Sequence, residues 1–207
     1  MIMFSIDQFI NGFALDFPDS AALKPWELIH QIKSILLKRI QILNHDYLIE
    51  DDVAIHKTAR IDSSATIKGP AIIGINCFIG GYTTIRGGVF LSDGVSVGTS
   101  CEIKSSMVFD SSSIAHFNFI GDSLIGKHVN FEAGAVTANT WNERKIKLIS
   151  VAYKASIIQT GTEKFGALVG DRSKIGANAV LSPGTLLNPA SSVRRLELVN
   201  QTEGFSS

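Results

Sequence analysis

Three cations in this chain recur at one fixed interval: Lys68, Arg86 and Lys104 stand eighteen residues apart. Stacked in a column, three like charges repel one another unless an anion lies against them. A phosphate, whose oxygens suit both a guanidinium fork and ammonium donors, is the natural counter-charge. The bland alternative is a solvated stripe offset by carboxylates. A second candidate is His116, in Ala115-His116-Phe117-Asn118-Phe119-Ile120-Gly121-Asp122, because imidazole is the side chain best matched to taking a proton near neutral pH. A lone histidine is more often structural, but Asp122 and Asn130 are close enough in sequence to assist. His30 and His45 fall in a helical region, and His56 and His128 are polar positions with no evident partner.

Whether eighteen residues is a distance in space depends on the elements that carry these groups. From Ile55 an aliphatic residue returns at every sixth position: Ile61, Ile67, Ile73, Ile79, Ile85, Leu91, Val97 and Ile103, continuing to Phe109 and Ala115. Neither the 3.6-residue period of a helix nor the two-residue period of a strand gives six. A hexapeptide period is the mark of a parallel β-helix, with each hexad one side of a prism and three hexads one coil. Residues eighteen apart then stack at about 4.8 Å, the spacing of paired strands. The same arithmetic makes Ile72, Phe90 and Val108 an outward apolar column. Such a stripe reads as an interface and predicts a homotrimer with sites between subunits.

Four segments follow. Residues 1–54 lack the hexads. Ser5-Ile6-Asp7-Gln8 resembles a capping box, and Pro25 opens a helix with Ile29, Ile32, Leu36, Ile40 and Leu43 on one face, which reads as a cap on the solenoid or as a docking surface. The β-helix occupies 55–198, with a register slip near residue 115 and a non-hexad excursion over 139–163. In the excursion Lys145–Leu148 and Ser156–Gln159 alternate like a projecting hairpin. Residues 199–207 read as a loose tail. A slip and an excursion side by side mark the place to seek a site.

Composition narrows the partners. Nineteen Lys and Arg balance nineteen Asp and Glu in 207 residues, which gives no reason to expect nucleic acid or an anionic membrane. No run approaches the ~20 apolar residues of a membrane span, and the N-terminus lacks the pattern of a signal peptide, so a cytoplasmic protein is expected. Cys77 and Cys101 fall on inward positions of different faces and read as buried free thiols.

The run HFNFIGDSLIGKHVNFEAGAVTAN at 116–139 and TGTEKFGALVGD at 160–171 resemble the acetyltransferase part of bifunctional N-acetylglucosamine-1-phosphate uridyltransferases and the related sugar-phosphate nucleotidyltransferase/acetyltransferases. The resemblance covers about residues 50–195. It implies a left-handed parallel β-helix, a homotrimer, and transfer of an acetyl group from acetyl-CoA to the amine of an amino-sugar 1-phosphate, with no metal. His116 matches the family's general base. Arg86 and Lys104 match the phosphate-gripping positions, with Lys68 continuing their column. Phe119, Asn130 and Lys145 match substrate contacts, and Ala133, Asn139, Ala177 and Arg195 match positions lining the coenzyme A groove. Backbone N–H groups near Gly134 are candidate oxyanion donors, and Asn118 or a backbone carbonyl would fix the imidazole tautomer.

This sequence departs from that pattern in places. Phe119 replaces a tyrosine, Glu132 replaces a glycine and puts a carboxylate beside Asn130, and Trp141 replaces a smaller loop residue. The nucleotidyltransferase domain has a helical segment in its place, so this chain is not expected to make nucleotide sugars by itself, and the acceptor expected is an amino-sugar phosphate or a nucleotide-linked amino sugar. A non-catalytic trimeric scaffold holding a separate nucleotidyltransferase is the alternative reading of a different class. A zinc hydratase on the same fold would need a histidine cluster that the spacing does not offer.

Overall fold

The computed structural model describes residues 4–202. Its body is a parallel β-solenoid whose coils present three faces. The first face is a seven-stranded ladder that starts at Arg60–Ile61 and ends at Ser192–Val193. The second carries Thr66–Ile67, the opening residues of Thr84–Leu91 and Glu102–Val108, then Phe119–Gly121, Val136–Thr137, Val180–Leu181 and Leu198–Val199. The third carries Val53–His56, Ala71–Ile73, the closing residues of the same two long strands, Leu124–Ile125, Ala167–Val169 and Thr185–Leu187. The hexad residues Ile73, Ile79, Ile85, Leu91, Val97 and Ile103 fill the interior, and Cys77 and Cys101 lie among them as buried free thiols. Burial pushes the Cys77 thiol up to about 11.

The register slips earlier than the sequence pattern suggests. Arg86 pairs with Lys104 but Val89 pairs with Ser106, so Gly87-Gly88 bulges out and the next coil is one residue shorter. The inward residues after Ile103 are therefore Val108 and Ile114, not Phe109 and Ala115. A one-residue shift exchanges the two sides of a strand. Phe109 turns outward, and Met107 rather than Val108 continues the column of Ile72 and Phe90. That column runs Ala54, Ile72, Phe90, Met107, Leu124, Leu168 and Leu186, and all seven are buried.

The chain's own N-terminus buries it. The helix Pro25–Ile40 lays Leu28, Ile29, Ile32, Leu36 and Ile40 against the third face, joined by Ile6, Phe9, Phe13 and Phe17 from the preceding short turns. The helical part of segment 1–54 thus covers a side of the prism. Residues 6–40 of it lie on that side rather than on an end, and their apolar stripe is spent within the chain. This outward column therefore cannot be a subunit interface. Ser5 opens a single 3₁₀ turn at Ile6–Gln8 without a side-chain cap, while the helix start is held by the Glu27 carboxylate accepting from Lys24 N–H at 2.9 Å. The last part of the same segment, Tyr47–Glu50, meets the open end by pairing antiparallel with Val53–His56. There His56 is buried against Tyr47 with its Nδ1 2.9 Å from Thr58 Oγ1, so it has the partner that the sequence did not reveal.

The excursion folds back onto the body. Its antiparallel pair is Ser150–Tyr153 with Ser156–Gln159, so the second strand lies where the alternation predicts and Lys145–Leu148 is not the first. Ile149, Val151, Tyr153 and Trp141 join the cluster under the N-terminal segment, and Arg144 stacks on Trp141 at 3.4 Å. The tail begins later than residue 199. Leu198–Val199 pairs with Val180–Leu181, and the Gln201 amide bonds both backbone groups of Leu186. Residues 203–207 of the expected tail lie outside the described residues.

Candidate active site

His116 sits on the corner where the first face turns into the second. Its carbonyl accepts from Gly134 N–H at 2.9 Å, the Ala133 carbonyl accepts from Asn178 N–H at 3.0 Å, and the Ala177 carbonyl accepts from Leu196 N–H at 2.9 Å. These bonds stack His116, Ala133, Ala177 and Arg195 on one corner, coil above coil. The solenoid thus aligns the expected base with three of the four expected coenzyme positions. A groove of about 500 Å³ runs beside that corner on the first face, lined by Asn130, Glu132, Lys174, Ser192, Arg194 and Arg195.

The same ladder corrects two expectations. Gly134 N–H is committed to the His116 carbonyl and is not a free oxyanion donor. Asn118 does not touch the ring either: its Nδ2 donates to the His116 carbonyl at 3.1 Å, and its buried Oδ1 has no partner. The imidazole itself is exposed, and its Nδ1 accepts from Thr99 N–H at 3.3 Å. Thr99 was not legible as a site residue, although it lies one coil before His116 at the same corner. The neutral tautomer matched to this contact carries its proton on Nε2. For Nε2 to accept a proton, the Thr99 bond must be given up, at about 0.5–1.5 kcal/mol. That cost is small beside a general-base contribution of about 10²–10⁴-fold.

The cation column forms on the next corner, between the second and third faces. Arg86 and Lys104 are register partners, and Lys68 precedes them by one coil. Two of the three already hold carboxylates: Arg86 Nη2 is 2.5 Å from Glu102 and Lys104 Nζ is 2.7 Å from Asp122. Lys68 is exposed and has no ion-pair partner among the described residues. Asp122 also accepts from the Asn139 amide. Asp122 therefore serves Lys104 rather than the His116 ring, from which the three-residue strand Phe119–Gly121 separates it by roughly 10 Å. Asn139 likewise belongs to the cation corner and not to the ladder of Ala133, Ala177 and Arg195. Phe119 lies between the two corners, its ring covering Gly121.

Asn130 points outward on the first face, into the groove and away from Asp122. Glu132 does not offer a free carboxylate. Both of its oxygens are 2.7 Å from the Arg195 guanidinium, and one also accepts Ala177 N–H at 2.9 Å. Arg195 and that N–H hold the Glu132 carboxyl down at about 2. Lys145 stands exposed in the excursion and joins no ion pair among the described residues. His128, on a different corner, is exposed. Among the described residues no group of three or more His, Cys, Asp or Glu could hold a metal ion, and no helix is long and apolar enough to cross a membrane.

No family model matches the chain. A bifunctional sugar-1-phosphate nucleotidylyltransferase/acetyltransferase from Sulfurisphaera tokodaii is 30% identical over 195 residues, spanning 88% of this chain and 46% of that protein. A bifunctional GlmU protein from Desulfitobacterium hafniense is 35% identical over 130 residues, 63% of this chain and 28% of that one. The uncharacterized acetyltransferase YaiX of Escherichia coli K12 is 34% identical over 154 residues, 73% of this chain and 66% of its own length. The chain belongs to the hexapeptide-repeat acetyltransferases, related to the C-terminal part of the bifunctional enzymes. It spans less than half the length of the two bifunctional relatives.

Proposed function

We propose that this protein transfers an acetyl group from acetyl-CoA to the amine of an amino-sugar phosphate or a nucleotide-linked amino sugar, with His116 as general base. One observation carries the reading: His116 shares a corner with Ala133, Ala177 and Arg195, beside a groove that supplies Lys174 and Arg194 for an anionic donor. An amine attacks a thioester only when neutral. As its nitrogen bonds the carbonyl carbon, the carbon–sulfur bond breaks, the sulfur leaves as thiolate or thiol, and His116 Nε2 accepts the proton that the nitrogen sheds. Lys68, Arg86 and Lys104 give the acceptor's phosphate a cationic edge, with Asn130 and Phe119 as further contacts and Lys145 reaching in from the excursion. Glu102 and Asp122 temper that edge, so a phosphate there shares its cations with two carboxylates.

The second face supports a homotrimer. Its outward row runs Thr66, Thr84, Glu102, Phe119, Val136, Val180 and Leu198, polar in the first coils and apolar in the last. Leu198 is 64% exposed, and at the adjoining corner Phe117 and Leu196 are 68% and 79% exposed. Association through this face sets both corners of the site at a boundary between copies. The test is thiol release from acetyl-CoA across a panel of amino-sugar 1-phosphates and nucleotide-linked amino sugars. Turnover with one class names the acceptor, and silence across the panel in a protein that binds coenzyme A removes the proposed acceptors.

A further inference from the structure

Over the third face, on the far side from the corner bearing His116, the N-terminal segment leaves a cleft of about 430 Å³ between Phe17–Ser20 and the helix Pro25–Ile40. Arg39 lines it. Its Nη1 donates to the Asp16 carbonyl at 2.7 Å, and its guanidinium carbon lies 4.5 Å from the centre of the Phe17 ring and 5.6 Å from that of Phe90. Among the described residues no carboxylate comes within ion-pair distance of it, whereas Arg86, Arg194 and Arg195 each hold one. A half-buried guanidinium packed against two aromatic rings and tied to a backbone carbonyl keeps its other N–H donors in a fixed fork.

The apolar part of the cleft lining is Phe17, Pro18, Leu23, Ile35 and Ile42, of which Ile42 is 81% exposed, and Ser20, Gln31 and Ser34 are its neutral polar members. The charged groups at its edge are Asp16, Asp19, Lys38 and Arg39, which sum to zero. A single negative charge on an apolar body suits that lining. A phosphate dianion would meet two carboxylates at the rim, and Asp16 is itself only partly offset by Lys127 at 3.6 Å. We propose that this cleft is a second binding site, which takes a small apolar monocarboxylate with its carboxylate on Arg39 and its body against Phe17, Ile35 and Ile42. The fork of Arg39 matches a carboxylate in two-point geometry, and the site is independent of acetyl transfer at His116.

Calorimetric titration of the whole protein with benzoate and decanoate, and with benzyl alcohol and decanol as neutral counterparts, tests this. One carboxylate binds per chain, and the matching alcohol binds at least tenfold more weakly. Arg39→Met brings the carboxylate to the level of the alcohol. Ser34→Trp, an exposed helix position that fills the cleft and leaves Arg39 in place, removes binding of both, with an unchanged circular dichroism spectrum confirming the fold. Coenzyme A at saturation leaves the titration unaltered. Absence of carboxylate binding to the folded wild type, equal binding by Arg39→Met, or displacement by coenzyme A overturns the proposal.

Discussion

Two faces of this prism carry an outward apolar row, and they meet different fates. On the third face the row from Ala54 to Leu186 is apolar throughout and is buried by the chain's own helix. On the second face the row turns apolar only from Phe119 onward and remains half-exposed. The difference shows that an outward stripe in a solenoid announces only that something must cover it. A covering helix in the same chain takes the longest stripe, and the shorter one stays exposed.

The largest effect should come from breaking the covered face. Phe109, fully buried against Phe13, Phe17 and Phe90, should cost about 3–5 kcal/mol when replaced by alanine, read from urea unfolding. An equal cost from Val180→Ala on the second face would erase the contrast. Val180→Asp should instead change monomer stability by only about 0.5 kcal/mol while lowering the oligomer's mass in sedimentation. An unaltered mass would remove the second face as the proposed contact between copies. Restoring a hydroxyl on that face with Phe119→Tyr should improve kcat/KM by roughly two- to tenfold, the worth of one hydrogen bond.

The smallest effect concerns the groove. Glu132 is held at about 2, below its ordinary 4.5, so its contribution to stability is fully present above about pH 4.5 and is lost as pH falls toward 2. Wild type should therefore exceed Glu132→Gln slightly in thermal midpoint at neutral pH, and the gap should close across that window. A gap that widens on acidification would contradict the Arg195 clamp.

Much of this was legible in the sequence. The hexads from Ile55 to Ile103 fix the interior because every sixth side chain must enter a core of one width, and the eighteen-residue interval of Lys68, Arg86 and Lys104 survives as a column. The Gly87-Gly88 bulge was not legible: it shortens the register by one and moves Val108 inward, so the apolar column was read with one wrong member and no cover. The partners of the cations were hidden for another reason. Glu102 is two positions from Lys104 but belongs to Arg86 a coil away, and Asp122 lies near His116 in sequence but across a whole face in space. Corner contacts join residues sixteen to eighteen apart, and only a stacked register reveals them.

Acetyl transfer is proposed to take place at the His116 corner. Thiol release from acetyl-CoA with the acceptor that turns over, compared between wild type and His116→Ala, tests it most directly. A fall of about 10²–10⁴-fold with oligomeric mass and unfolding midpoint unchanged is the predicted result. Full activity in the folded variant would contradict the account and place the proton acceptor elsewhere.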